Sequence, residues 1–343
     1  IADTGCCRMA EAGEFTRRAF DNGKIDLTGS EALADLIHAE TEFQRRQAMV
    51  NLQGGLREQI EGWRQDLIRI MAYCDATLDF SDEELPDTLE SDLAGQMDRL
   101  IQEMEALLNT HPQAERMRDG IDLAILGAPN AGKSSLLNAL TGRAAAITSD
   151  IAGTTRDIVE THLDIAGYPF ILADTAGLRG ETEDRIEREG IKRAETRAKA
   201  AQIRLIVLDS TTLPHIEPEI EKWLDEDAII VLNKSDLATP DYARPHIRIS
   251  TQTGEGLDAL KNVLKEKAEQ IAGTAETPTL NRHRQVETLR LTMAELETAK
   301  TAPAAELMAE SIRHALAQLG RMTGHVDVES LLDVIFSDFC IGK

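Results

Sequence analysis

The residues best suited to chemistry lie in one short loop, GAPNAGKS, at positions 127–134. The loop fits G-x4-G-K-[ST] and stands between an apolar run at 121–126 and the helix-like segment SSLLNAL. Its glycines permit a tight turn whose N–H groups point at phosphate oxygens. Lys133 can neutralise the β- and γ-phosphates, and the Ser134 hydroxyl can ligate Mg²⁺. The flanking elements favour a nucleotide site over a chance glycine-rich turn. The predicted phosphate contacts are Asn130, Ala131, Gly132, Lys133, Ser134 and Ser135.

Two later motifs point to GTP as the nucleotide. The aspartate of DTAG can hold Mg²⁺ through water, and its glycine amide can meet the γ-phosphate. In NKSD, the Asp236 carboxylate can accept two hydrogen bonds from guanine, a donor pair that adenine lacks, while the Lys234 stem lies on the base. NKSD alone would be an ordinary polar turn, but its order after the other motifs is specific. The contacts predicted from these motifs and from a weaker base loop are Asp174, Thr175, Ala176, Gly177, Asn233, Lys234, Asp236, Ser250, Thr251 and Gln252.

The segment SDIAGTTRD at 149–157 lies between these motifs, where a nucleotide-sensing switch would stand. Thr155 can reach both Mg²⁺ and the γ-phosphate. Ser149 and Thr154 of the same segment are further predicted nucleotide contacts. The alternative is a polar loop that precedes the next strand, and the position in the chain favours the switch.

Hydrolysis needs a group that orients water, and the expected place lacks one. Many GTPases carry Gln directly after D-x-x-G, whereas this chain has Leu178. The catalyst is therefore supplied from elsewhere, or intrinsic hydrolysis is slow. The Asn130 side-chain oxygen, with carbonyls from the 149–154 loop, could hold a monovalent cation that replaces an arginine finger. Alternatively, Asn130 only stabilises the loop.

The motifs lie in a region where strand and helix patterns alternate, which predicts a mainly parallel sheet. Ala166 and Gly167 are the whole connection between two of these strands, so that pair should form an antiparallel hairpin. The predicted strands are 121–126, 157–165, 168–174, 204–209, 228–233 and 246–250.

Helical patterns flank this region on both sides. Residues 27–118 carry apolar residues at spacings of three and four, with Thr28 or Ser30 as the candidate cap. Helical character returns after 279 and continues to about 336. The simplest architecture is an α/β domain inserted into an all-α domain.

Composition limits the partners. The chain has 60 Asp and Glu against 37 Lys and Arg, a net charge of -23, which argues against broad binding of phosphate backbones. An RNA partner would need a local basic patch or a second protein. Apolar runs are too short for a membrane helix, and the four cysteines show no zinc spacing and fit a reducing cytoplasm. Because the chain begins with Ile, we expect its true N-terminus to be missing.

The motifs together resemble those of the MnmE (TrmE) family of tRNA-modification GTPases over nearly the whole chain. GAPNAGKSSLLNAL, SDIAGTTRD, DTAGLR and NKSD match the family's GTPase domain. GEFTRRAFDNGKIDLTGSEALADLI at 13–37 matches the segment that joins its N-terminal and helical domains, and FCIGK matches its C-terminus. These last two segments separate the match from ribosome-assembly relatives.

The resemblance implies a homodimer with a folate-binding N-terminal domain and a Ras-like P-loop GTPase domain inserted into a helical domain. Most of the folate pocket and much of the dimer interface would then be missing from this chain, whereas GTP binding should remain. The implied parts are 1–20 (end of the N-terminal folate-binding, dimerisation domain), 21–118 (helical domain, first part), 119–272 (GTPase domain) and 273–343 (helical domain, second part, with the CIGK tail).

The resemblance also implies an activity. The family acts with the flavoprotein MnmG, as a heterotetramer, and adds an aminomethyl or carboxymethylaminomethyl group at C5 of the wobble uridine of certain tRNAs. A tetrahydrofolate derivative, 5-formyl or 5,10-methylene, would supply the one-carbon unit. Two GTPase domains would meet across the dimer when potassium and GTP are bound, which would account for Leu178. The alternative is a GTP-controlled RNA or ribosome assembly factor without one-carbon chemistry.

Individual residues match family positions of known role. Glu187 would orient the attacking water through a bridging water, and Cys340 would act in the modification. Lys24 and Lys343 would contact folate. The implied metal ligands are Asn130, Ser149, Ile151 and Thr154 for K⁺, and Ser134 and Thr155 for Mg²⁺.

Cys340 lies three residues before the end of the chain and has two open interpretations. By the resemblance, its thiol lies near the one-carbon donor and takes part in chemistry. Alternatively, it is a small apolar residue that anchors the last helix. Prenylation fits poorly, because Gly342 and the final Lys343 do not suit a CaaX box.

Overall fold

The computed structural model describes residues 8–79, 88–147, 161–172, 196, 198–273 and 275–325. The chain divides into two compact units. The helical unit comprises Ile1–Ala39, Arg45–Glu115 and Ala275–Lys343, and the α/β unit comprises Glu40–Gln44 and Arg116–Thr274. The α/β unit thus interrupts the helical unit in the sequence, and the predicted fold class, an α/β domain inserted into an all-α domain, is confirmed.

The elements follow the predicted order of helices, alternating strands and helices, then helices again. The helices are α1 (Glu14–Asp21), α2 (Leu27–His38), α3 (Glu42–Leu52), α4 (Gly55–Asp79), α5 (Thr88–Leu108), α6 (His111–Asp119), α7 (Lys133–Ala145), α8 (Pro218–Glu221), α9 (Leu257–Ala272), α10 (His283–Lys300) and α11 (Ala305–Thr323). The strands are β1 (Ile121–Leu126), β2 (Ala146–Ile147), β3 (Thr161–Ile165), β4 (Tyr168–Leu172), β5 (Ile203–Asp209), β6 (Ala228–Asn233) and β7 (Ile247–Arg248).

The core of the helical unit forms where α4, α5, α10 and α11 pack together. Along α4 the buried residues recur at alternating steps of four and three, which places them on one face of the helix. Cys74 is the last of them, and burial raises the pKa of its thiol, so it serves here as a small apolar side chain. The buried α4 residues are Leu56, Ile60, Trp63, Leu67, Ile70 and Cys74.

Helix α2 begins with a cap that differs from the prediction. The Asp26 side chain accepts a hydrogen bond from the backbone N–H of Gly29 at 2.7 Å, so Asp26 is the N-cap. The prediction that Thr28 or Ser30 is the N-cap was therefore wrong, because the cap lies two residues before Thr28. Both hydroxyls instead donate to Asp26, that of Thr28 to its carboxylate and that of Ser30 to its carbonyl.

A buried carboxylate ties α2 to the last two described helices. Glu31 is 5% exposed and accepts hydrogen bonds from Arg284 at 2.9 Å and from Gln285 at 2.7 Å. Arg284 also donates to the carbonyl oxygens of Arg321 and Met322 at the end of α11. Because a buried charge is costly to leave unpaired, this cluster fixes where these three helices meet.

The sheet of the α/β unit has the order β2-β3-β4-β1-β5-β6-β7. The pairs from β4 through β7 are parallel, whereas β3 runs antiparallel to both β2 and β4. The predicted hairpin is confirmed, since Ala166 (φ 54°) and Gly167 (φ 90°) form the tight connection between β3 and β4. The carboxyl ends of the parallel strands therefore meet at one edge of the sheet.

The helical core provides a stability prediction. Leu67 is fully buried and its neighbour Ile68 is 43% exposed. Leu67→Ala should lower the free energy of unfolding of the helical unit by about 2–5 kcal/mol because it leaves a cavity. Ile68→Ala should change it by no more than about 0.5 kcal/mol.

The two tryptophans allow the helical unit to be measured separately, because Trp63 lies in that unit and Trp223 in the other. In a Trp223→Phe background, denaturant unfolding followed by Trp63 fluorescence reports the helical unit. Equal destabilisation by the two alanine variants would contradict the assigned core.

Candidate nucleotide-binding site

The predicted phosphate loop connects β1 to α7 at the carboxyl edge of the sheet. Its first glycine, Gly127, has φ 157°, and a Cβ there would lie 2.3 Å from the backbone oxygen of Val207 on β5. Asn130 adopts φ 62° and is exposed at the tip of the loop. The glycine is thus required by the close approach of the neighbouring strand, and the left-handed backbone at Asn130 is typical of a functional loop.

One buried side chain joins the phosphate loop to the predicted guanine loops. Asn233 is 1% exposed at the end of β6; its Nδ2 donates to the carbonyl oxygen of Ala131 at 2.9 Å, and its Oδ1 accepts from the Thr251 N–H at 3.2 Å. A Cβ on Gly132 would lie 2.1 Å from that Nδ2. Gly132 therefore makes room for the amide that links the two halves of the site.

Lys133 points back onto its own loop. Its Nζ donates to the carbonyl oxygens of Gly127 at 2.7 Å and Ala128 at 2.8 Å. Burial lowers the pKa of Lys133, although the charge of Glu217 acts in the opposite direction. The ammonium group is therefore held at the centre of the loop, where a phosphate anion would favour its charged form.

The first turn of α7 presents the two serines of the motif. Ser134 and Ser135 are both exposed. The position of Ser134 at a helix amino end, with an accessible hydroxyl oxygen, fits the hard oxygen donors that Mg²⁺ requires.

On the guanine side, Lys234 and Asp236 follow β6. Lys234 has φ 63°, and its Nζ lies 2.5 Å from the Oδ2 of Asp209, the last residue of β5. Asp236 is exposed, so its carboxylate is available to a ligand. Asp209 lies outside the predicted motifs. The sequence signal for it is a carboxylate at the end of a predicted strand of the sheet.

The loop 250–252, which follows β7, is stabilised by hydrogen bonds to buried side chains. Ser250 is fully buried, and its Oγ accepts from the Thr253 N–H at 3.1 Å. Thr251 contacts Asn233 through its backbone, and Gln252 is exposed. The described part of the chain thus brings together the phosphate loop, NKSD and this loop at one edge of the sheet.

The predicted switch segments lie outside the described residues, and only the strands that border them are described. Leu172, at the end of β4, pairs with Thr161, at the start of β3, and β4 runs parallel to β1. Leu178 and eleven predicted site residues lie outside the described residues. These site residues are Ser149, Ile151, Thr154, Thr155, Asp174, Thr175, Ala176, Gly177, Glu187, Cys340 and Lys343.

Lys24, the described member of the predicted folate pair, lies in the helical unit after α1. It is exposed, and its backbone N–H donates to the Ala19 carbonyl. Its ammonium group is accessible, which fits an acidic ligand.

Comparison with known families decides the assignment. A family model described as the MnmE helical domain matches residues 27–340. The chain belongs to the MnmE family.

Curated members of the family match nearly the whole chain. The tRNA modification GTPase MnmE of Paramagnetospirillum magneticum is 49% identical over 341 residues, which cover 98% of this chain and 77% of that protein. The protein of the same name from Rhodospirillum rubrum is 48% identical, with 100% of this chain and 76% of that protein covered. Membership of the MnmE family makes the chain a GTP hydrolase.

Solved structures show weaker likeness. The G domain of the T. maritima FeoB iron transporter is 29% identical and matches 44% of this chain and 98% of that chain, with a TM-score of 0.30. Aquifex aeolicus Era bound to GDP and AlF4⁻ is 25% identical and matches 51% of this chain and 66% of that chain, with a TM-score of 0.32. The MnmE assignment rests on the sequence matches and not on these superpositions.

Among the helices of the described residues, none is long and apolar enough to cross a bilayer.

The close contact at Gly132 yields a binding prediction. Gly132→Ala would push the new Cβ against Asn233 and break its hydrogen bond to Ala131, so GDP should bind at least about tenfold more weakly. Titration with a fluorescent GDP measures this.

Gly54 provides the matched control. Its φ of +100° is close to the +96° of Gly132, but a Cβ there would meet only the Glu58 carboxylate, at 3.9 Å. Gly54→Ala should therefore carry a similar backbone strain and leave GDP affinity unchanged. Equal effects of the two variants on binding would refute the role given to the contact.

Proposed function

We propose that this chain is a potassium-dependent GTPase whose hydrolysis cycle controls the modification of wobble uridines in tRNA. The observation that carries the proposal is the link through Asn233, which holds the phosphate loop and the guanine loops as one site in a chain of the MnmE family. Family relatives carry the name tRNA modification GTPase, which supports tRNA as the substrate.

In the proposed site, the loop residues 130–135 surround the phosphates. Lys133 neutralises phosphate charge, and Asp236 accepts the two guanine donors while Lys234 covers the base. The switch and DTAG residues complete the contacts to the γ-phosphate. These nucleotide contacts are Ser149, Thr154, Thr155, Asp174, Thr175, Ala176 and Gly177, with Asn233 and the loop of Ser250, Thr251 and Gln252 as support.

Two metal ions would complete the charge balance. Mg²⁺ would be held by Ser134 and Thr155 and would neutralise the β- and γ-phosphates. K⁺ would be held by Asn130 together with Ser149, Ile151 and Thr154, and would supply positive charge near the leaving group. The exposed side chain of Asn130 at the tip of the phosphate loop supports this assignment.

The absence of a water-orienting Gln at Leu178 calls for another group, and Glu187 fits the role by family resemblance. We propose that Glu187 orients the attacking water when the GTPase domains of a homodimer meet. Leu178 then needs no catalytic function.

The modification itself would require further parts. We propose the flavoprotein MnmG as the partner in a heterotetramer, in the cytoplasm, and a 5-formyl or 5,10-methylene tetrahydrofolate as the one-carbon donor. Lys24 and Lys343 would contact the donor's acidic groups, and Cys340 would take part in the chemistry. The product would carry aminomethyl or carboxymethylaminomethyl at C5 of the wobble uridine. The accessible ammonium group of Lys24 is the described feature that supports a folate contact.

The cation assignment has a direct kinetic test. GTP hydrolysis by the chain should be at least about tenfold faster in K⁺ than in Na⁺ at equal ionic strength, because the proposed site takes K⁺ as its source of positive charge beside the phosphates. Asn130→Gly should abolish this difference and keep GDP affinity within a few-fold.

Glycine is the suitable replacement because it adopts the φ of 62° at position 130 without strain. Equal rates in the two cations for the unaltered chain would remove the potassium mechanism.

The role of Cys340 can be separated from hydrolysis. Cys340→Ser should eliminate the wobble modification, measured by mass analysis of tRNA from cells that carry only the variant, and should leave GTP hydrolysis intact. Cys74→Ala is the matched thiol control, since Cys74 is buried in the helical core and alanine keeps that site apolar. A normal modification level in the Cys340 variant would favour the packing interpretation or an assembly factor without one-carbon chemistry.

A further inference from the structure

Asp209 has contacts that neither the motifs nor the proposed mechanism use. Its side chain is 12% exposed, and its Oδ2 lies 2.5 Å from the Nζ of Lys234. The other oxygen, Oδ1, accepts from the Thr211 N–H at 2.9 Å and from the Thr211 hydroxyl at 2.6 Å. Each carboxylate oxygen is thus engaged, and one of them holds the lysine of NKSD.

The sheet explains this position. Strands β5 and β6 are parallel and in register, with Asp209 directly opposite Asn233. The pairing continues one step further, because the Ser210 N–H donates to the Asn233 carbonyl at 3.0 Å. Any residue after Asn233 therefore leaves the sheet beside Asp209, and the next residue is Lys234.

The backbone of Lys234 adds a second constraint. Its φ of 63° lies in the left-handed region, which non-glycine residues adopt only when their surroundings hold them there. The ion pair with Asp209 fixes the other end of this residue, a long side chain that would otherwise sample many rotamers.

Hydrogen bonds also stabilise the charged form of the Asp209 carboxylate. Burial alone would raise the pKa of Asp209, but hydrogen bonds from Lys234 and Thr211 outweigh burial, and the pKa lies below its ordinary value. Asp209 is therefore charged at neutral pH and provides a fixed anion for the ammonium group.

We infer that Asp209 is a positioning residue for guanine recognition, which anchors the Lys234 ammonium so that the methylene stem is already in place as one wall of the base pocket. The inference rests on the proposed assignment of NKSD to guanine. Asp209 acts through Lys234 and does not contact the base. Preorganisation of this kind strengthens binding because less side-chain entropy is lost when the ligand arrives.

The test uses the full chain and a fluorescent GDP. Asp209→Asn keeps the size of the side chain and removes its charge, so GDP should bind about tenfold more weakly, with a raised KM for GTP and a nearly unchanged kcat. In a Lys234→Met background, the same Asp209 change should alter GDP affinity by less than about twofold, because the interaction that it supports is already gone.

Asp225→Asn is the matched control. Asp225 pairs with Arg204 at 2.9 Å, at the opposite end of β5, so its loss should leave GDP affinity unchanged. Thr211→Ala, which removes one donor to Asp209, should give a smaller loss of affinity than Asp209→Asn and serves as the test variant if Asp209→Asn does not fold.

The results for Asp236→Asn and Asp209→Asn distinguish failure of the guanine assignment from failure of the positioning role. If Asp236→Asn binds GDP like the unaltered chain, the assignment of NKSD to guanine fails. If Asp236→Asn loses affinity while Asp209→Asn does not, only the positioning role fails. An equal loss for Asp209→Asn with and without Lys234 would also overturn it, since Asp209 would then act by another route.

Discussion

The amide of Asn233 satisfies two loops that are far apart in the sequence. It donates to Ala131 in the phosphate loop and accepts from Thr251 in the loop after β7, while water is almost excluded from it. A buried amide that loses one partner leaves a polar group unsatisfied, at a cost of about 1–3 kcal/mol. The two halves of the site are therefore coupled, and Gly132 must remain glycine to accommodate the amide.

The parallel sheet brings the loops after its strands to the edge where Asn233 lies. The strands β1, β5 and β6 end at one edge, so the loops that follow them converge there without long connections. Asp209 and Lys234 meet for this reason. In the helical unit, by contrast, the described helices meet through apolar faces and through the buried carboxylate of Glu31.

Much of this could be predicted from sequence because the signals are local. The phosphate motif has fixed spacing, and the Ala166-Gly167 connection leaves no room for anything but a hairpin. The cap of α2 is also local, and the prediction missed it: Asp26 precedes Thr28 and Ser30, and its carboxylate accepts from the Gly29 N–H. Residues defined by tertiary partners were harder to find. Asp209 gains its role only from strand register, which the sequence does not display.

One buried amide makes the phosphate loop and the predicted guanine loops a single unit. Hydrogen exchange in an Asn233→Ala variant tests this coupling, with the backbone N–H groups of Thr251, Gly127, Ala128 and residues 130–133 as reporters. Exchange should be faster at both places, because the Thr251 N–H loses its acceptor and the Ala131 carbonyl loses the donor that holds the phosphate loop. Faster exchange at Thr251 with an unchanged phosphate loop would contradict it.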